Sequence, residues 1–342
     1  SVSTELDDSA ELWFVELSSS PTADGGRLSH VRQDKVNFRK AMNRAGLQYS
    51  ERFAFDTLWN GLSIRIDKSR LTQLARIPGV KALYPVDEVW MDPEPVERAE
   101  LFTALAMTGA DIAQSTLGYT GAGVRIAIMD TGIDYDHPDL GGCFGPGCRV
   151  ETGWDFVGDA YTGPGSPLNP DDDPDDCGGH GTHVAGIAGA DGVVTGVAPG
   201  ATFGAYRVFG CAGSTSADVM IAAMEMALAD GMDVLNMSIG SSRQWPQYPT
   251  AAAGTRAVNA GMVVVASFGN SGGIGLYSGS APGVGQKVIG VGGFQNTHLR
   301  LPGFMVAGQP IGYDTMSFSP DPPTSGTDEI VFVGRACDID LP

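Results

Sequence analysis

The apolar positions of the first ninety residues switch between two periods. Residues 11–18, ELWFVELS, are dense in β-formers and predict a strand. Around residues 27–46, Val31, Val36, Phe38, Met42 and Leu47 recur among charged residues at roughly helical spacing. Arg52 to Asp56 and Trp59 to Ile66 alternate in polarity and predict a pair of strands. A helix opens at Asp67 or Ser69, carries Leu71, Leu74 and Ile77, and stops at Pro78-Gly79 before a last strand, Val80 to Val86. The order βαββαβ is that of the split βαβ motif. An acidic connector with two prolines, Met91-Asp-Pro-Glu-Pro95, and a helical stretch to residue 119 follow, which places a boundary near residues 88–105.

Beyond that boundary short apolar runs alternate with helices, the pattern of a parallel sheet covered on both faces. Residues 124–129 (VRIAIM), 202–208, 234–237, 262–266 and 288–291 predict strands. Residues 217–230 predict a helix capped by Ser216, with Met220, Ala223, Met224 and Ala227 on one face and Gly231 at its end. A second helix spans 250–259 and is closed by Gly261. Working groups in such sheets sit at the carboxyl ends of the strands. Polar residues of the chain collect in just those loops.

Composition narrows the targets. Among 342 residues, 21 are Lys or Arg and 40 are Asp or Glu, a net charge of −19. The clustered positive charge needed by a nucleic-acid groove or an anionic membrane surface is missing. Residues 1–100 carry 13 basic and 16 acidic side chains, net −3, and the remainder 8 and 24, net −16. After position 100 Lys287 is the one lysine, so two units of different composition are expected. No run of 18 apolar residues occurs and the N-terminal stretch lacks a signal-peptide pattern, so any secretion signal is expected to have been removed or not included. Cys143 and Cys148 flank the turn-forming Phe-Gly-Pro-Gly, a spacing that a local disulfide closes. A zinc site competes, but no second cysteine pair stands at ligand spacing. Disulfides are therefore expected, with Cys177–Cys211 as the second bridge and Cys337 left over.

Three loops carry the chemistry. Met129-Asp130-Thr-Gly-Ile puts a carboxylate at the end of an apolar strand, Gly179-His180-Gly-Thr-His183-Val-Ala-Gly puts an imidazole where a small-residue helix begins, and Phe268-Gly-Asn270-Ser-Gly puts an amide donor after another strand. Orienting carboxylate, general base and oxyanion donor are the parts of acyl transfer. These motifs resemble the aspartate, histidine and oxyanion segments of the subtilisin-like serine proteases, in that family's order. The resemblance continues through Gly196-Val-Ala-Pro-Gly200, Tyr206-Arg-Val and Ser278-Gly-Ser-Ala-Pro-Gly283, and covers about residues 120–293. It implies an α/β catalytic domain with a parallel sheet, catalytic Asp130, His180 and Asn270, and an extended protein or peptide substrate lying between the Gly213 strand and the wall formed by Ser238, Ile239 and Gly240. His183 is expected to be a packed partner rather than a second base, and His137 to belong to the turn after the Asp130 loop.

The family's nucleophile motif, Gly-Thr-Ser-Met-Ala, is absent from all 342 residues, and Ser325-Gly-Thr327 has the wrong order to replace it. Phe304 to Gly308, Tyr313 to Ser317 and Glu329 to Cys337 instead resemble the opening of a protease-associated insertion. The expectation is an N-terminal fragment of a secreted, extracellular endopeptidase precursor, its serine on a missing C-terminal part. The alternative is a catalytically inactive peptide-binding or inhibitory homologue. The ferredoxin-like α+β unit of residues 1–97 then resembles a propeptide acting as intramolecular inhibitor, followed by the incomplete catalytic domain (98–300) and the start of the insertion (301–342). No cofactor is required. The acidic run Asn169 to Asp176 makes calcium a candidate structural ion, although its spacing is not that of an EF-hand, and residues 190–196 are shorter than the asparagine-containing loop that holds calcium in many relatives.

Overall fold

Strand β1 (Leu12–Leu17) pairs antiparallel with β3 (Gly61–Arg65) on one side and β4 (Val80–Pro85) on the other, and β2 (Ser50–Phe55) extends the sheet beyond β3 to give the order β2-β3-β1-β4. The computed structural model describes residues 11–90, 101–294 and 303–312. These fall into two units, residues 1–298 and 299–342. Helix α1 (Leu28–Arg44) and the single turn α2 (Leu71–Leu74), preceded by a 3-10 turn at Lys68–Arg70, make the two crossovers. Alternation along β1 sorts its side chains. Val15 and Leu17 face Phe38 and Met42 of α1, whereas Leu12 and Phe14 join Phe55 and Trp59 in the larger core that also holds Met220, Met224 and Tyr248.

Strand β5 (Glu88–Trp90) and helices α3 (Leu101–Thr108) and α4 (Ala110–Ser115) lead into a six-stranded sheet. Its strands are β6 (Arg125–Asp130), β7 (Val150–Asp155), β8 (Thr202–Arg207), β10 (Val234–Met237), β11 (Val263–Ser267) and β12 (Ile289–Val291), in the order β12-β11-β10-β6-β8-β7. All five pairings are parallel. Ala127 and Met129 face the core of α6 (Ala217–Ala229) and α7 (Pro249–Asn259), while Ile126 and Ile128 face Ala185 of α5 (His180–Gly189). Burial on both faces accounts for the unbroken apolar run of β6, whereas β12 at the sheet edge is exposed along its length.

Three strands, β5 among them, differ from the sequence expectation. The pattern gave no signal for β7, whose VETGWD carries a glycine packed close to the Ala205 carbonyl of β8. Strand β9 (Ser214–Ser216) pairs antiparallel with β5, a contact between distant segments that no local pattern encodes. Ser216 does precede α6, but its hydroxyl donates to Asp218 Oδ1 and makes no cap bond to the helix backbone.

In the second unit, β13 (Gly303–Val306) and β14 (Gln309–Gly312) form a hairpin about Ala307-Gly308, both at positive φ as a two-residue turn demands. The connector 91–95, Ser325, and the segments 313–317 and 329–337 with Cys337 lie outside the described residues.

Candidate active site

Asp130 ends β6 and is fully buried. Its Oδ1 is 2.6 Å from His180 Nδ1 and also accepts the Thr131 N–H at 2.8 Å. Burial pushes the Asp130 carboxyl above the ordinary carboxylate range, against the opposing pull of His180 and the Thr131 amide. His180 opens α5, and glycines make its approach feasible. A Cβ on Gly181 would stand 2.1 Å from the Gly132 carbonyl oxygen, and the Gly181 N–H donates to Thr131 Oγ1 at 2.8 Å. Only a side-chain-free residue lets the helix start dock this closely on the Asp130 loop.

Asp176, at the end of the acidic run, holds the turn before α5. Its Oδ1 accepts the Gly178 and Gly179 N–H groups, and its Oδ2 accepts both the N–H and, at 2.6 Å, the hydroxyl of Thr182. Burial alone would raise this carboxyl, yet the Thr182 hydroxyl and the backbone donors outweigh it and hold it below the usual range. One carboxylate thus clamps the turn that presents His180. An aspartate just upstream of a helix start is the available signal, masked here by the Asp-Pro-rich context.

The rest of the acidic run turns toward protein donors. Asp171 pairs through its backbone with Asp155, Asp173 accepts the Tyr135 hydroxyl, and Asp175 accepts the Asp176 N–H. No three of these carboxylates lie together at metal-ligand distance among the described residues. Among the described residues the one convergent group of metal-ligand types is Asp159, Cys177 and Cys211. Its two sulfurs form a disulfide and face the Arg207 guanidinium, so it does not fit a cation. In the short 190–196 loop, the Val193 and Val194 N–H groups donate to Asp139, holding its carboxyl below the usual range.

Asn270 follows β11, and Ser238, Ile239 and Gly240 follow β10, the strand between β11 and β6. All these strands are parallel, so their carboxyl ends, Asp130 included, share one edge. Ser238 Oγ accepts the Asn236 amide at 3.1 Å, Ile239 is buried, and the adjoining Ser241 pairs with Ala281. Gly213, at φ +89°, turns the chain into β9 where a Cβ would meet the Thr162 carbonyl oxygen at 2.4 Å. The edge of β9 is occupied by β5, with Trp90 opposite Ser214 and Glu88 opposite Ser216. Cys143 pairs with Cys148 and Cys177 with Cys211. His183 is exposed on α5, contrary to the packed role expected of it, because its position points away from the sheet contact made by Ala185. His137 caps the turn Pro138–Leu140, its Nδ1 accepting the Asp139 N–H.

The model of the subtilase family matches residues 121–334. The minor extracellular protease Vpr of Bacillus subtilis (strain 168) is 37% identical over 250 residues, which cover 70% of this chain and 30% of that protein. Subtilisin E of the same organism is 36% identical over 191 residues, 54% of this chain and 44% of its own length. The chain thus spans less than half the length of either relative. Among solved structures, the epidermin leader peptide processing serine protease of Staphylococcus aureus superposes with a TM-score of 0.51 at 22% identity, over 76% of this chain and 60% of that one. That likeness is one of fold. No described helix is long and apolar enough to cross a membrane.

Proposed function

The chain belongs to the subtilase family, and from that premise we propose that it is the prodomain-bearing part of a secreted serine endopeptidase. The observation that carries this reading is the 2.6 Å contact between His180 Nδ1 and the fully buried Asp130. In that geometry His180 takes the proton of the attacking serine hydroxyl and returns it to the leaving amine. Asp130 fixes the imidazole tautomer and stabilises the imidazolium, and the Asn270 amide stabilises the tetrahedral oxyanion. The substrate lies as an extended strand between the Gly213 side and Ser238, Ile239 and Gly240. No cofactor enters the chemistry.

The nucleophile is a serine outside these 342 residues, reached after a protease-associated insertion begun in residues 301–342. Residues 1–97 act as the intramolecular inhibitor of the catalytic domain that follows them, residues 98–300. Support comes from β5 lying along β9, from Glu225 of α6 accepting the Thr57 and Leu58 N–H groups at 2.8 and 2.7 Å, and from the Tyr248 hydroxyl, which donates to the Pro85 carbonyl and accepts the Asp87 N–H. Extracellular location is favoured by the two disulfides and by the extracellular relative.

The test is peptide hydrolysis. The 342-residue chain alone should not exceed background, whereas the full gene product should cleave. His180→Ala in that product should lower kcat by several orders of magnitude, roughly 10⁶ being the loss on removing a triad histidine in subtilisin. Unimpaired cleavage by the variant sinks the reading, and a full gene product without cleavage favours the inactive binding homologue.

A further inference from the structure

Arg52 lies on β2, the edge strand of the four-stranded sheet, and its largely buried guanidinium meets the start of α6. Nη2 donates to the Tyr161 hydroxyl at 3.0 Å, Cζ stands 5.8 Å from the Tyr161 ring centroid, and Nη1 is 3.5 Å from Asp218 Oδ1. Asp218 is fully buried in the first turn of α6. Its Oδ1 accepts the Ser216 hydroxyl at 2.7 Å and the Val219 N–H at 3.0 Å, and Ser216 Oγ lies 3.3 Å from the Tyr161 hydroxyl.

Three elements therefore contribute to one pocket: the loop after β7, the end of β9, and the first turn of α6. A buried carboxylate needs a cation, and an adjacent aromatic face with a hydroxyl acceptor favours a planar guanidinium over an ammonium. Arg52 does not use the pocket to capacity. Its Nη1 makes no hydrogen bond, and neither does the buried Asp218 Oδ2. A donor fork free to approach from another backbone has both an anion and an unused acceptor available to it.

We propose that Tyr161, Ser216 and Asp218 form a guanidinium site that Arg52 fills from within the chain, and that takes an arginine side chain of a polypeptide substrate once residues 12–90 are displaced. The substrate half of this proposal rests on the inhibitory role assigned above to those residues. Geometry also gives the direction of approach. Glu88 of β5 stands opposite Ser216 and Trp90 opposite Ser214, so the N-terminal end of a strand laid on β9 points toward Asp218. The arginine sits at, or N-terminal to, the position opposite Ser216.

Chemical rescue in the full chain tests the pocket without needing catalysis. Arg52→Ala is titrated with methylguanidinium by calorimetry and thermal melting, with methylammonium as the control. Saturable methylguanidinium binding is expected in the variant, about tenfold tighter than methylammonium, absent from the parent and lost in Arg52→Ala/Asp218→Asn. Equal binding of the two cations, or binding unaffected by Asp218→Asn, overturns the proposal. Should Arg52→Ala fail to fold, Arg52→Met keeps the aliphatic stem. Failure of both to fold, with no recovery in methylguanidinium, also counts against the pocket. In the full gene product, peptides carrying a single arginine are compared with their leucine counterparts. The Arg-to-Leu ratio of kcat/KM should fall about tenfold in Asp218→Asn. An unchanged ratio removes the substrate half. Absence of any cleavage in the parent rejects the protease reading and with it that half, while the rescue arm still decides the pocket.

Discussion

At the scale of single residues, the dominant cost is a carboxylate deprived of water. Asp130 spends one oxygen on His180 and the Thr131 amide, while its other oxygen is buried with no hydrogen-bond partner. Burial therefore holds its carboxyl above the usual range. A group whose folded-state pKa is raised contributes stability that is present below its unfolded value, about 4 for aspartate, and lost as pH rises through the folded value. Asp130→Asn removes that loss and keeps an acceptor for His180. The thermal midpoint of the variant minus that of the parent should grow more positive as pH rises from about 4 toward 8. A difference that is flat, or that moves the other way, contradicts a buried charge at this position. Asp130 and His180 were legible in the sequence because each stands inside a motif. Asp176 was not, although its four donors lie two to six residues downstream, because an aspartate inside an Asp-Pro-rich run does not stand out as the one that anchors a helix start.

At the scale of elements, β6 and α5 meet through glycine. Gly181 is the second residue of the helix that His180 opens, and its missing side chain lets the Gly132 carbonyl sit where a Cβ would stand 2.1 Å away. Since that neighbour is backbone, it cannot swing aside. Gly181→Ala should destabilise the chain by about 2–4 kcal/mol, seen as a lower denaturation midpoint with an unchanged m-value, and under the proposed function it should lower kcat of the full gene product more than it raises KM. A neutral substitution would mean that α5 can shift without disturbing His180. Periodicity gave the helices and most parallel strands because most are buried on a regular face, while β12, exposed along its length, was marked by its β-branched residues alone. It missed β7, interrupted by the close approach of Gly153 to β8, and the β5–β9 pair, whose partners are separated by more than a hundred residues.

At the scale of the molecule, one covalent bond ties the turn that presents His180 to the segment that enters β9. Cys177 lies between Asp176 and His180, and Cys211 lies two residues before Gly213, where the chain turns into β9. The closed loop has a sequence separation of 34, against 5 for Cys143–Cys148. Chain entropy then assigns about 4 kcal/mol to the longer loop and about 2 kcal/mol to the shorter one. Cys177→Ser/Cys211→Ser should accordingly lower the guanidinium chloride midpoint more than Cys143→Ser/Cys148→Ser does. Its effect should also be local, because the serine pair leaves only hydrogen bonds, those of Asp176 foremost, to hold the His180 turn. Amide exchange at Gly178 and Gly179 should accelerate in the first variant and remain unchanged in the second. Equal losses of stability, or protection at these two glycines that survives removal of Cys177–Cys211, would show that the hydrogen bonds of Asp176 suffice and that the bridge serves only the unfolded chain.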